Sequence, residues 1–379
     1  MVVRERDDAC PGVVDAGPAD DGLVLRLRLP GGRIPAQALR ALAATAARFG
    51  NGAIDVTVRA NAQIRAIADA DLPRVIAAIT DAGLLPSRTH DRVRNILASP
   101  LAGRDPRALL DVDPVVSALD EAVCAAPELA ALSGRFVIGV DDGGEPIAAP
   151  RHDIDLVAVD AGTFALHVAG HDTGRRCDPA GAPDAVVALA YAFLAARAGS
   201  GAWHVRELPG GASAFAADLG GSGDLVAPRR GSANFCVGVL GQPAGRFAVG
   251  AVVPLGRLTS PAALALADAG RDLRLTAARG VVVRDVADPG AAVAALEAAG
   301  LSCDPASPWR GVSACSGLGE CRRAVADVRA DAAEYANSPV RGPDTHWVGC
   351  PRACGSPRGV RVMVARPGGG YDDAAALPA

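Results

Sequence analysis

An internal duplication constrains this chain more than any other feature. Residues 23–29, Leu-Val-Leu-Arg-Leu-Arg-Leu, form a strand pattern that turns at Pro30-Gly31-Gly32-Arg33-Ile34 into a helix starting near Pro35. Strand patterns follow at 54–59 and 63–67, then a helical run through 72–79 that closes on Ala82-Gly83-Leu84. The same order returns later. Residues 247–253 run into Pro254-Leu255-Gly256-Arg257-Leu258, then come strands at 273–279 and 281–286 and a helix ending Ala299-Gly300-Leu301. Each copy reads as a β-α-β unit of ferredoxin-like character.

The rest of the chain is organised around these copies. Half-domains are expected at 22–85 and 233–302, and an α/β domain at 88–206 with strands near 136–140 and 164–168. The Gly-, Ser- and Pro-dense stretch beginning at 199 suggests a linker over 207–232, and 309–366 carries a cysteine-rich segment. With 379 residues, half of them apolar, two or three packed domains can form. A net charge of −4 gives no reason to expect nucleic acid or an anionic membrane as partner. The longest apolar run, 185–196, is too short to span a bilayer, and the charged N-terminus lacks a signal-peptide core. A cytoplasmic location is therefore expected, where disulfides are not, so the nine cysteines need another explanation.

Four of them fall close together, as Cys315-x5-Cys321 and Cys350-x3-Cys354. Thiolates are the soft ligands of iron–sulfur clusters, and four can close a [4Fe–4S] cube. Gly317, Gly319, Gly349 and Gly355 suit tight wrapping, and Pro351 follows a candidate ligand as in ferredoxin-type runs. Zinc is the alternative, although the x5 spacing is wide for it, and burial as small apolar residues is the other. Cys10, Cys124, Cys177, Cys236 and Cys303 are scattered and read as simple core or surface thiols.

With these motifs in view, the chain resembles the nitrite/sulfite reductase superfamily from Gly22 to about Val364. The resemblance rests on the duplicated half-domains, on Thr57-Val58-Arg59-Ala60-Asn61-Ala62-Gln63, on Arg94-Asn95 leading to Ser99-Pro100, and on Cys315-x5-Cys321 with Gly349-Cys350-Pro351-x-x-Cys354. It implies an α+β fold: duplicated ferredoxin-like half-domains and two larger α/β portions in a pseudo-twofold arrangement. It also implies a [4Fe–4S] cluster on Cys315, Cys321, Cys350 and Cys354, beside a carboxylate-rimmed tetrapyrrole. In the reductases that tetrapyrrole is sirohaem, and the last cysteine bridges cluster and haem iron.

Reductases of this kind gather cations over the bound anion. Arg59 and Arg94 match two of those positions, but a Lys-Phe-Lys pattern falls here on Arg135-Phe136-Val137. All 38 basic residues of this chain are Arg, so Arg for Lys is unremarkable. Val for Lys removes a charge. That departure resembles the precorrin-3B synthase branch, which implies a monooxygenase acting on precorrin-3A with O2, hydroxylating C20 and closing a γ-lactone. The branch also implies a mononuclear non-haem iron, whose ligands the sequence does not identify, and an external electron donor. A ferredoxin or an NADH-dependent reductase would serve, since no Gly-x-Gly-x-x-Gly follows a strand. A sirohaem sulfite or nitrite reductase is the alternative, and a non-catalytic iron–sulfur electron-transfer protein is a second.

Arg59, Arg65, Arg94 and Arg135 are candidates for pairing with substrate carboxylates, which guanidinium groups grip bidentately. Gln63 and Asn95 are candidate hydrogen-bond donors to the same acid groups, or turn-stabilising amides. His167 and His171 have a spacing that suits two metal ligands, although the segment reads as a strand and turn. His346 stands near enough to Cys350 in sequence to tune a cluster by hydrogen bonding.

Overall fold

The computed structural model describes residues 8–144, 152–221, 225–226, 236–340 and 342–376. The first copy supplies β1 (Gly17–Ala19), β2 (Gly22–Leu27), β3 (Arg33–Pro35), α1 (Ala36–Phe49), β4 (Ala53–Val56), β5 (Ala62–Ile67) and α2 (Leu72–Asp81). It continues into β6 (Ile96–Ala98), α3 (Asp113–Ala125), β7 (Ile138–Asp141), β8 (Ile154–Asp160), β9 (Thr163–Val168), β10 (His171–Cys177), α4 (Ala182–Ala196) and α5 (Gly211–Asp218). The second copy supplies β11 (Gly238–Gly241), β12 (Phe247–Val252), β13 (Arg257–Thr259), α6 (Ser260–Ala269), β14 (Asp272–Leu275), β15 (Gly280–Val286) and α7 (Pro289–Ala298). It ends with β16 (Val312–Ala314), α8 (Val328–Ala336), β17 (Thr345–Val348), β18 (Arg361–Ala365) and β19 (Tyr371–Asp373).

The two ferredoxin-like sheets are not self-contained. Their orders are β1-β2-β5-β4-β13 and β11-β12-β15-β14-β3, so each receives its last strand from the other copy. The repeated Pro–x–Gly–Arg turn makes the exchange. Gly32 and Gly256 both have positive φ, at 67° and 69°. A Cβ on Gly32 would strike the Leu275 carbonyl oxygen, and one on Gly256 would meet the Val56 carbonyl and the Arg279 side chain. Leu275 and Val56 end the equivalent strands β14 and β4, so only glycine lets the chain pass so close. Helices α1 and α6 pack on one another, and a single core joins Leu25, Leu39 and Ile54 to Leu258, Leu266 and Val283.

The larger portions are duplicated too. In the sheet β10-β9-β8-β7-β6, β6 to β8 are parallel and β9 returns antiparallel. In the sheet β16-β17-β18-β19 the same pattern recurs, with α8 placed as α3 is. The first of these sheets has its own core, including Phe136, Phe164 and Phe193. The second is small and rests on Val328, Ala332 and the Trp347–Tyr371 edge contact. Residues 207–221 depart from the expected linker: α5 buries Phe215, Ala212 and Ala216 in the first α/β core. Its Ala-rich composition makes it a helix despite the flanking glycines. Residues 222–224 and 227–235, the remainder of that linker and the start of the second half-domain, lie outside the described residues. Among the described residues no helix is long and apolar enough to cross a membrane.

Candidate active site

The four cysteines stand at the C-terminal ends of β16 and β17, the edge where parallel strands present ligand sites. Cys315 directly follows β16, and Cys350 lies just beyond β17. Gly349 N–H donates to Cys315 Sγ at 3.3 Å, and Gly317 N–H bonds to the same sulfur. Burial raises the pKa of Cys315, and Cys354 and Cys321 raise it further. Cys354 is raised likewise by burial and by Cys350 and Cys321, against Arg352 and Arg135. The thiols are thus within electrostatic reach of one another, and binding iron would relieve the cost of ionising them. Among the described residues no trio of His, Cys, Asp or Glu converges tightly enough for a single metal ion. A [4Fe–4S] cube takes one thiolate per iron. The donor set and its N–H···S bonds fit a [4Fe–4S] cluster, and no ligands for a mononuclear iron are assigned.

The loop between Cys315 and Cys321 is clamped from both copies through Glu320. Arg65 on β5 meets the Glu320 carboxylate at 3.0 Å, its carbonyl at 2.7 Å and Ser316 Oγ at 2.6 Å. Arg257, from the exchanged strand β13, reaches the same carboxylate at 2.6 Å and Asp55 at 2.9 Å. On the other side of the cluster segment, His346 is fully buried. Its Nε2 bonds the Cys354 carbonyl at 3.1 Å, and Nδ1 bonds Ser313 Oγ at 2.8 Å. A carbonyl only accepts, so Nε2 carries the proton and Nδ1 accepts from Ser313. Burial and Arg279 push the His346 pKa down to about 3, keeping the ring neutral. It therefore anchors ligand backbone, with no bond to a sulfur.

Two guanidiniums, those of Arg352 and Arg135, act on Cys354, and a further group of arginines surrounds Cys10. Arg135 is close enough to lower the Cys354 pKa, and it influences Arg59 in turn. Arg26 Nη1 and Arg28 Nη2 donate to Cys10 Sγ at 3.1 and 3.5 Å. Burial would raise the Cys10 pKa, but Arg26, Arg28 and Arg59 outweigh it and the thiol is lowered. Cys10 is thus not the simple core thiol expected, and Arg26 and Arg28 join a site where sequence reasoning did not place them. Their alternation with Leu25 and Leu27 resembles an ordinary solvent face, so no local signal marks them.

The six nominated residues divide by what already holds them. Among the described residues Arg59 makes no side-chain hydrogen bond or ion pair, and its Nε is buried without a partner. Arg135 lies over the Trp203 ring at 5.0 Å and meets Asp8 at 3.3 Å. Gln63 accepts from Arg26 at 2.9 Å. Arg65 is 2% exposed and fully engaged with Asp21 and Glu320. Arg94 grips Asp120 bidentately at 2.7 and 2.6 Å. Asn95 donates to the Gly134 and Phe136 carbonyls and accepts from Asn61, tying the half-domain to the α/β sheet. None of the six lines the cavity of about 230 Å³ beside the cluster segment, where Ala60, Leu97, Arg279, Trp309 and Arg358 stand.

A family model described as the nitrite/sulfite reductase ferredoxin-like half domain matches residues 17–82. The chain is 30% identical to the ferredoxin–nitrite reductase of Synechococcus elongatus, over 88% of this chain and 74% of that one. This chain belongs to the nitrite/sulfite reductase family. The chloroplastic ferredoxin–nitrite reductase of Arabidopsis thaliana is 28% identical over 88% of this chain and 65% of its own. A precorrin-3B synthase from Sinorhizobium sp is 34% identical over 42% of this chain and 34% of its own. The Mycobacterium tuberculosis NirA structure shares the fold, with a TM-score of 0.73 at 22% identity, covering 93% of this chain and 73% of that one.

Val137 is fully buried with Ala60 and Leu97 in a small apolar cluster. Its N–H donates to Asp153 at 3.0 Å. Arg59→Ala is expected to weaken tetrapyrrole binding by about 1–3 kcal/mol with iron content intact, measured by absorbance titration. Arg94→Ala should instead lower thermal stability, because Asp120 loses its partner, and leave tetrapyrrole affinity near wild type.

Proposed function

We propose that this chain is an iron–sulfur monooxygenase of tetrapyrrole chemistry, converting precorrin-3A to precorrin-3B by C20 hydroxylation and γ-lactone formation. The observation that carries this reading is the apolar cluster of Val137, Ala60 and Leu97 where a reductase of the pattern above places a cation. With Arg94 held by Asp120, Arg59 is left, among the described residues, without an ion-pair partner, and Arg135, although paired with Asp8, still acts on Cys354. A small oxyanion needs dense charge around it; a macrocycle with carboxylates on its rim needs arginines spread along an edge. Arg26, Arg59 and Arg135 suit such an edge. The likeness to a precorrin-3B synthase over part of the chain supports the same reading. The cavity of about 230 Å³ is smaller than the usual ~300–1,000 Å³ ligand pocket. In this reading the macrocycle lies beside Cys354, on the side that Arg135 approaches, and the cavity is left for small reactants. A [4Fe–4S] cluster on Cys315, Cys321, Cys350 and Cys354 would supply electrons one at a time, drawn from a ferredoxin or another external donor.

A second reading is favoured by the relatives that cover most of the chain, which are ferredoxin–nitrite reductases. In it, sirohaem occupies the same face and nitrite or sulfite is reduced. The deciding experiment is an anaerobic absorption spectrum with iron, sulfide and sirohaem analysis, followed by both assays. The expected outcome is a broad cluster shoulder without haem bands, and a product about 16 mass units heavier than precorrin-3A in the presence of O2 and reductant. Sharp haem bands with efficient nitrite or sulfite reduction would establish the second reading instead.

A further inference from the structure

The cavity beside the cluster segment lies where the two copies meet, and their matching turns both reach it. In the first copy Thr57 N–H bonds the Asn61 carbonyl, and in the second Thr276 N–H bonds the Gly280 carbonyl. The residue before that carbonyl is left-handed in both, Ala60 at φ 53° and Arg279 at φ 59°. Both line the cavity. Glycine or asparagine usually takes such a position, so a long charged side chain is held there against its backbone preference. Room for it comes from Gly256, where a Cβ would collide with Arg279 Cδ.

Arg279 is 9% exposed, and among the described residues no carboxylate pairs with it. Its side chain makes one hydrogen bond there, from Nη2 to the Gly355 carbonyl beside Cys354. A guanidinium carries five N–H donors in a rigid fork, so most of them stay unused in the wall of the cavity. An unpaired buried cation is costly. Burial first, and then Arg329, lower the Arg279 pKa to about 10 in spite of Asp55 and Cys315. The other charges in the wall do not cancel it. Arg310 and Arg358 stand there with one carboxylate, Asp344, so the lining is positive overall.

We propose that Arg279 makes this cavity a subsite for one carboxylate or a similar planar oxyanion. Two oxygens of such a group match two parallel donors of the fork. A volume of about 230 Å³ takes several waters at ~30 Å³ each, and so takes acetate or nitrite. Ala60, Leu97 and Val253 make part of the wall apolar, which strengthens a charge pair by excluding water. The anion can come from two sources. Under the monooxygenase reading it is an acid arm of the macrocycle reaching in from the Cys354 side. Under the reductase reading it is nitrite before reduction. The subsite rests on those readings only for the source of its anion.

The test uses the cluster-containing chain, kept anaerobic, with acetate and then nitrite as probes. NMR saturation transfer from protein to acetate should titrate to one site, and nitrite should displace the acetate. Arg279→Gly should weaken both anions at least ~10-fold, as loss of a charged hydrogen-bond donor implies. Glycine takes the left-handed turn without strain, so iron content should stay at the wild-type level. Arg279→Lys keeps the charge but not the fork, and its affinity should fall between the two. If Arg279→Gly loses its iron, Arg279→Lys carries the comparison. Added precorrin-3A then assigns the source: an acid arm in the cavity displaces acetate, whereas a free anion stays bound beside the macrocycle. No saturable binding by the wild type overturns the subsite, as does an affinity that Arg279→Gly leaves unchanged. A shifted cluster reduction potential with unchanged anion affinity also overturns it, and makes Arg279 a counter-charge for the cluster. If the wild type neither hydroxylates precorrin-3A nor reduces nitrite, the functional readings fail, and the acetate titration still decides the subsite.

Discussion

Replacing any one of Cys315, Cys321, Cys350 or Cys354 with Ser is expected to strip the chain of iron and acid-labile sulfide and to loosen its second half. The β16–β19 portion of that half has little else to hold it. Its four-stranded sheet rests on a handful of buried residues, Ala314, Val328, Ala332 and Ala365, against the extensive core of the first α/β sheet. Unmetallated, the pKa values of Cys315 and Cys354 are raised, by burial first and then by the neighbouring thiols, which oppose one another's ionisation. A cluster would convert that mutual repulsion into a crosslink between the turn after β16 and the turn after β17. Serine oxygen is a hard donor and a poor substitute for thiolate on iron. Cys124→Ser and Cys303→Ser are the controls and should keep full iron and sulfide. The measurements are iron and sulfide per chain, the visible absorption shoulder, and limited proteolysis of the second half. Full iron and sulfide in all four Ser variants would remove the cluster from these residues.

How far the sequence reveals this molecule depends on the range of the interaction concerned. The duplicated lobes are legible because alternation, helical runs and the Pro–x–Gly–Arg turn are local signals, and the family match over 17–82 agrees with the first of them. The exchange of β3 and β13 is not legible. A three-residue strand has no pattern of its own, and its partner lies more than two hundred residues away in sequence. The cysteine spacing is local and stands out. The fate of each arginine is not local. Arg65 and Arg94 have the residue type and motif of ligand-binding groups, yet Asp21, Glu320 and Asp120 claim them once the chain folds. Charge pairing across sheets is a property of the tertiary structure, and this chain's wealth of Arg multiplies the ways to realise it. Glu320, between two clustered cysteines, is a local hint, passed over in the sequence reading, that the loop takes a cation from elsewhere.

That hint leads to the second large effect. Arg65→Ala is expected to cost about 3–5 kcal/mol, because a buried guanidinium leaves and two carboxylates lose their shared partner. Asp21 and Glu320 are 17% and 18% exposed, so water compensates each only in part and the lower end of that range applies. The same substitution removes the bonds to Ser316 Oγ and the Glu320 carbonyl, which hold the loop between Cys315 and Cys321. Iron should therefore be lost faster on dilution or chelation than from the wild type. Glu320→Gln should have a smaller effect, since Arg65 keeps Asp21 and Arg257 keeps Asp55. The double variant should fall short of the sum of the two, as expected for residues that share one interaction. Thermal melts and the rate of iron release to a chelator measure both terms. If Arg65→Ala keeps its melting temperature and its iron but loses tetrapyrrole affinity, Arg65 is a ligand-binding residue after all, and Asp21 and Glu320 serve to aim it.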